Sequence, residues 1–266
     1  IDNAIRNGKR TIILCAPGGY GKSYIAREYC EDSVLRRPAL LSAKGDIRSQ
    51  LKAVFQLECT NADAHEDMLD GVFADYLYSQ LDAKYEKSNA EWVITYDDIE
   101  LGRRDFGKFV RDFMYVPHEG YLSKGIVIIT TQNSWEYSNR HVEVINVPKI
   151  DKEIATSYLK ETIEGLADND TEKILSATGC IALPLSIAGA SVVRKTKLRR
   201  LDVSVAVDEY CNDVATAGAE APNDIDYDNN LYNAIRVTVD NICKYEEDRD
   251  NVYDLLMCSA MTAPIQ

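Results

Sequence analysis

The chain has 266 residues, 45% hydrophobic and 27% charged, a globular balance with room for two domains of roughly 150 residues each. A formal net charge of −13 argues against DNA or RNA as the main partner, because a phosphate backbone calls for a basic face. No apolar run reaches the roughly 18 residues of a membrane span, and seven cysteines without a C-x-x-C spacing point to a reducing, cytoplasmic setting rather than a disulfide framework.

Residues 11–16 (TIILCA) are short, β-branched and apolar, which predicts a buried strand. Residues 16–23 (APGGYGKS) follow, and a helix is expected from Gly21 to Cys30. This is the Walker A pattern G-x-x-x-x-G-K-[ST] with Ala16 in the first glycine position. Its chemistry requires these residue types. Glycines let successive N–H groups turn inward toward phosphate oxygens, and the helix start adds its partly positive end. Lys22 supplies a point charge to the β- and γ-phosphates, and Ser23 offers a hydroxyl to Mg²⁺. The strand–loop–helix context separates the motif from a chance glycine-rich turn. The site on this reading comprises Pro17, Gly18, Gly19, Tyr20, Gly21, Lys22, Ser23 and Tyr24.

Residues 39–43 (ALLSA) predict a second strand, and Ile47, Leu51, Val54 and Phe55 a helix over 46–57. The same period continues through Met68, Leu69, Val72, Phe73, Tyr76 and Leu77. Residues 92–96 (WVITY) predict a third strand that runs into two acids, Asp97 and Asp98. Asp97 is assigned to the Mg²⁺ shell and Asp98 to orienting or activating an attacking water. The alternative is that the acid pair caps the helix expected near Arg104. Residues 125–131 (GIVIITT) and 142–147 predict the fourth and fifth strands. Continuous apolar strands separated by helices mean a parallel sheet covered on both faces.

Only helical periods follow Pro148. Ile154, Tyr158, Leu159 and Ile163 form one stripe. Gly179 is expected to stop the next helix, and Pro184 to sit in the first turn of the one after. Residues 215–230 are polar and rich in Ala, Gly, Asn and Asp, which predicts a loop. Leu231, Ile235, Val239 and Ile242 predict a further helix, 244–250 a charged break, and 252–261 a last apolar helix. The expected division is a nucleotide-binding domain over 1–149, a helical domain over 150–250 and the start of another domain over 251–266. The histidines, His65, His118 and His141, lack metal-ligand spacing. The sequence begins at Ile1 with no signal-peptide pattern, so a larger parent protein is expected.

Residues 125–133 (GIVIITTQN) resemble the T-T strand of NB-ARC proteins, and 180–187 (CIALPLSI) resemble their G-L-P-L motif. The order Walker A, D-D, T-T, L-P-L is the order of that branch of the STAND class of signalling ATPases. It includes plant disease-resistance receptors and the animal apoptosome scaffold. The resemblance covers nearly the whole chain and implies a P-loop NTPase fold followed by an all-α domain. It also implies an ADP/ATP switch with Mg²⁺, slow hydrolysis, and self-association of the full-length ATP-bound protein, with the isolated chain monomeric. On that basis Thr130 and Thr131 would end a sensor strand beside the γ-phosphate. Pro184 and Leu185 would pack on the adenine, and 252–266 would open a winged-helix domain. Gln132 stands where the family carries a sensor arginine, and a neutral amide cannot make the forked contact of a guanidinium. Ala182 stands at the glycine of G-L-P-L. The other reading of the loop is a housekeeping AAA-type ATPase or a small-molecule kinase.

Overall fold

The computed structural model describes residues 1–31, 36–42, 46–58, 69–87, 90–117, 125–132, 137, 139–219 and 234–237. Tertiary contacts divide the chain into two units. The first comprises Ile1–Ala16 and Lys22–Val147; the second comprises Pro17–Gly21 and the described residues from Pro148 onward.

The first unit runs α1 (Asp2–Arg6), β1 (Thr11–Cys15), α2 (Lys22–Glu31), β2 (Arg36–Ser42), α3 (Ile47–Glu58), α4 (Asp70–Tyr85), β3 (Glu91–Asp97), α5 (Arg103–Phe113), β4 (Gly125–Thr131) and β5 (Val142–Asn146). The five strands form one sheet in the order β2-β3-β4-β1-β5, and every pairing is parallel. Each residue of β1 and β4 is buried, the signature of central strands with both faces covered. Alternate residues divide between the faces. Ile13, Ile94, Tyr96, Val127 and Ile129 share a core with Phe73 and Leu77 of α4 and Phe106 and Val110 of α5. On α2, Lys22, Ala26 and Cys30 are buried at four-residue spacing. Cys30 Sγ lies 3.7 Å from Thr95 Oγ1. Trp92 pairs in register with Gly125, and its indole lies across that residue. A Cβ on Gly125 would stand 2.0 Å from Trp92 Cζ2, so only glycine fits. The indole N–H donates to Asp82 Oδ1 at 2.9 Å and the Tyr115 hydroxyl donates to Asp82 Oδ2. Two donors thus satisfy a carboxylate that is 2% exposed.

The second unit carries α6 (Lys152–Thr162), α7 (Asp168–Thr178), α8 (Ala182–Arg199) and α9 (Val203–Ala219). Its core is built from Ala155 and Leu159 of α6, Ile174 and Leu175 of α7, Leu185, Ala188 and Val192 of α8, and Val207 and Tyr210 of α9. Gly179 ends α7 at φ +59°, as its sequence position predicts. No helix among the described residues is long and apolar enough to cross a membrane.

Several expectations need correction. The stripe assigned to 154–163 is half right. Leu159 and Ile163 are buried, but Ile154 is 60% exposed and Tyr158 lies at the surface, while Ala155 takes the inward position. Residues 215–219 are helical, not a loop, because Ala217 completes the buried face begun by Tyr210 and Val214. β2 starts at Arg36, earlier than the apolar run 39–43. The helix near Arg104 begins at Arg103 with Gly102 as N-cap and no side-chain cap bond, so the acid pair does not cap it. Met68, Leu231, Val239, Ile242 and the segments 220–230, 244–250 and 251–266 lie outside the described residues.

Candidate functional site

β1 ends where its hydrogen bonds run out into the loop. The Val147 amide donates to the Cys15 carbonyl at 2.8 Å, and the Ala16 amide to the Thr131 carbonyl at 3.3 Å. The backbone then turns through Gly19 at φ +81° and Gly21 at φ +89°, a region that side chains rarely adopt. α2 begins at Lys22. Lys22 Nζ folds back to donate to the Ala16 carbonyl at 2.8 Å, which ties the two ends of the loop together. The Lys22 side chain is buried. Desolvation pushes its ammonium below the usual lysine range, and the charges of Glu100, then Asp98, then Asp97 pull the other way. A cation at a helix N-terminus is opposed by the helix dipole, so this pocket gains from an anion.

Within the second unit the same loop meets the start of α8. The Gly19 carbonyl accepts the Leu183 amide at 2.9 Å. This satisfies one of the N–H groups that every helix start leaves without a partner in its own turn. Pro184, one position on, has no N–H to satisfy. A Cβ on Gly21 would lie 3.6 Å from Ala182 Cβ, an ordinary contact.

The acid pair sits at the end of β3, against the end of β4. Thr130 Oγ1 donates to Asp97 Oδ1 at 2.7 Å and accepts the Asp98 amide at 2.8 Å. The Thr130 carbonyl accepts the Ile99 amide at 2.9 Å. Asp98 has φ +61°, a conformation that aspartate tolerates better than most residues. The next acid, Glu100, is half-buried, and its Oε1 accepts the Gln132 amide at 2.7 Å. Burial pushes the Glu100 carboxyl above the ordinary glutamate range, and the neighbouring charge of Asp98 adds to this. The Gln132 hydrogen bond and Lys22 act against it.

Ala16, Lys22, Asp97, Asp98, Thr130 and Thr131 therefore meet at one end of the parallel sheet. Ser23 is exposed in the first turn of α2, and Pro17 is exposed in the loop. Tyr24 is 64% exposed, and its hydroxyl bonds Glu28. Thr131 acts through its carbonyl on Ala16. Leu185 is buried in the core of the helical unit, and Pro184 beside it is also buried. Sequence reading missed Glu100. Its third place after Asp97 in D-D-I-E was the available signal, but its partner, Gln132, is 32 residues away.

The residues present fit a nucleoside phosphate with Mg²⁺. The loop has two positive-φ glycines, a buried lysine head and the N-terminus of a 10-residue helix. Among the described residues no group of three or more His, Cys, Asp or Glu could hold a metal alone. The Asp97 carboxylate at the end of β3 and the exposed Ser23 hydroxyl suit Mg²⁺, which takes one or two carboxylates and completes its shell with water and phosphate oxygens.

No family model matches the chain, and no curated protein matches it. Solved structures do. Drosophila ORC bound to DNA aligns with TM-score 0.50 and 15% identity, covering 82% of this chain and 65% of that one. The chain has the P-loop NTPase fold. A STAND protein (Signal Transduction ATPase with Numerous Domains) with a tetratricopeptide repeat sensor from Pyrococcus horikoshii aligns with TM-score 0.47 and 16% identity. That alignment covers 90% of this chain and 38% of that one. Cdc6p from Pyrobaculum aerophilum aligns with TM-score 0.46 and 15% identity over 74% of this chain and 59% of that one. Identities this low speak to fold alone.

Proposed function

We propose that the chain is an adenine-nucleotide-binding switch module of STAND type, which holds ADP firmly and hydrolyses ATP slowly. The observation that carries the reading is the buried Lys22 head at the mouth of a glycine-turned loop, with Asp97 and Thr130 hydrogen-bonded at the adjoining strand ends. Lys22 and the loop amides would hold the β-phosphate. Ser23 and Asp97 would hold Mg²⁺, which supplies charge neutralisation at the phosphates. Thr130 keeps Asp97 in one orientation. Asp98 is the proposed water-orienting residue, and Pro184 the proposed contact to the base. Two of the four ordered motifs, T-T and L-P-L, give the reading its NB-ARC character and its link to defence or cell-death signalling. Opening and self-association on exchange of ADP for ATP belong to the full-length protein on this reading, since a ligand moves such an equilibrium only by its differential affinity.

A housekeeping ATPase of AAA type or a small-molecule kinase is the second reading, because the same fold serves it, although an AAA protein more often shows D-E than Asp97–Asp98. Drosophila ORC is bound to DNA in its structure. For this chain the net charge of −13 favours a partner other than nucleic acid. Titration with ADP and ATP, identification of the nucleotide that co-purifies, and phosphate-release kinetics on the purified chain separate the readings. The switch reading expects bound ADP and little turnover. Several turnovers per second from a monomer would overturn it in favour of a working ATPase, and no nucleotide binding would overturn both.

A further inference from the structure

We infer that Glu100 sets the phosphate-state preference of this site: it is a specificity-determining carboxylate that disfavours a nucleoside triphosphate relative to a diphosphate. The inference rests on the nucleotide-binding reading above and deepens it. One hydrogen bond places the carboxylate, and two more join its strand end to the lysine head. The Gln132 amide holds Glu100 Oε1 at 2.7 Å. The residue before Gln132, Thr131, holds the Ala16 amide through its carbonyl at 3.3 Å, and the Ala16 carbonyl holds Lys22 Nζ at 2.8 Å. Glu100 is therefore fixed to the same strand end that anchors the lysine head. Its charge acts on that head together with those of Asp98 and Asp97.

A lysine in this loop position reaches the β- and γ-phosphates. A triphosphate brings one more charged group to that head than a diphosphate does. A flexible surface glutamate would swing away from it. Glu100 is held by Gln132, is half-buried, and so cannot retreat without giving up that hydrogen bond. Its repulsion falls on both ligands through the β-phosphate but adds a further increment for the γ-phosphate.

The test is calorimetric titration of ADP and ATP into the wild-type chain and into Glu100→Gln, Glu100→Ala and Glu100→Asp, each with Mg²⁺ and with EDTA. Thermal melting is run on every variant. Glu100→Gln keeps an acceptor for the Gln132 amide and removes the charge. It should raise ATP affinity relative to ADP affinity by about fivefold, and Glu100→Ala should move the ratio the same way. Glu100→Asp, which keeps the charge, should hold the wild-type ratio. An unchanged ratio in both neutral variants overturns the inference while leaving nucleotide binding intact. A loss of ATP affinity seen only with Mg²⁺ overturns it too, by making Glu100 part of the metal shell. Absence of binding in the wild type overturns the nucleotide reading and this inference together.

Discussion

Thr130 Oγ1 lies 2.7 Å from Asp97 Oδ1 and 2.8 Å from the Asp98 amide nitrogen, so one hydroxyl serves both members of the acid pair. A hydroxyl has one proton to give and lone pairs to receive, and here both capacities are used in a fully buried position. The acid at the end of β3 is therefore oriented by the side chain of β4, not by its own strand.

Thr130→Val should remove both bonds at nearly constant volume. The Asp98 amide loses its partner and Asp97 loses its orienting donor. A loss of about 1–3 kcal/mol in urea unfolding is expected, with a larger fall in nucleotide affinity in Mg²⁺ than in EDTA. Thr130→Ser should restore most of both. A valine variant as stable as the wild type, with unaltered Mg²⁺ dependence, would show that the hydroxyl is incidental.

Gly125→Ala tests the packing of the strand that carries Thr130. The new Cβ would stand 2.0 Å from the Trp92 ring, inside any permitted contact, and the indole is held in place by Asp82. A destabilisation of about 1–3 kcal/mol is expected from the enforced shift. Adding Trp92→Leu should cost less in the alanine background than in the wild type. Additive losses in that double-mutant cycle would rule out the clash as the cause.

Much of the first unit was legible in the residues because its strands are buried on both faces. TIILC and GIVIITT are short, apolar and rich in β-branched residues, which suits interior strands, and the glycine-lysine loop is marked by its spacing. Gly179 was legible because a left-handed residue at a helix end is a local requirement. What stayed hidden depends on distant partners. Ile154 and Tyr158 match a helical stripe as well as Ala155 does, yet only packing against the other helices decides which side is covered. The last turn of α9 has loop-like composition but gains a buried face through Val214 and Ala217. Gly125 gives no hint of the indole that excludes a Cβ there. Glu100 looks like a surface acid until the end of β4 folds beside it.

Lys22→Ala separates the two roles of the lysine head. Its ammonium is buried and disfavoured by desolvation, and it donates to the Ala16 carbonyl at 2.8 Å. Removing it relieves the desolvation, loses that bond and leaves Glu100, Asp98 and Asp97 without its charge, so the effects oppose one another and stability should change by about 1 kcal/mol or less. Nucleotide affinity should fall by at least about tenfold, the low end for a charge-assisted hydrogen bond. Unchanged affinity in a folded variant would mean the loop does not bind phosphate.

The pH dependence of stability should carry a signature of Glu100. Its carboxyl is held above the ordinary value of 4.5 by burial first and by Asp98 second, with the Gln132 amide and Lys22 opposing. A raised value in the folded state means that folding takes up a proton between pH 4.5 and the folded value. This stabilising share is fully present below 4.5 and is lost as pH rises through the folded value. Above that window the charged carboxylate is a constant cost. The group is only half-buried, so the contribution should stay below about 1 kcal/mol. Glu100→Gln should therefore be more stable than wild type at pH 7, and the difference should shrink as pH falls toward 4.5. Chemical denaturation of the two proteins at pH 7, 6 and 5 (about one step per unit, spanning the window) reads this directly. A difference that grows on acidification would mean that the folded state lowers the Glu100 carboxyl, with the Lys22 charge and the Gln132 hydrogen bond outweighing burial.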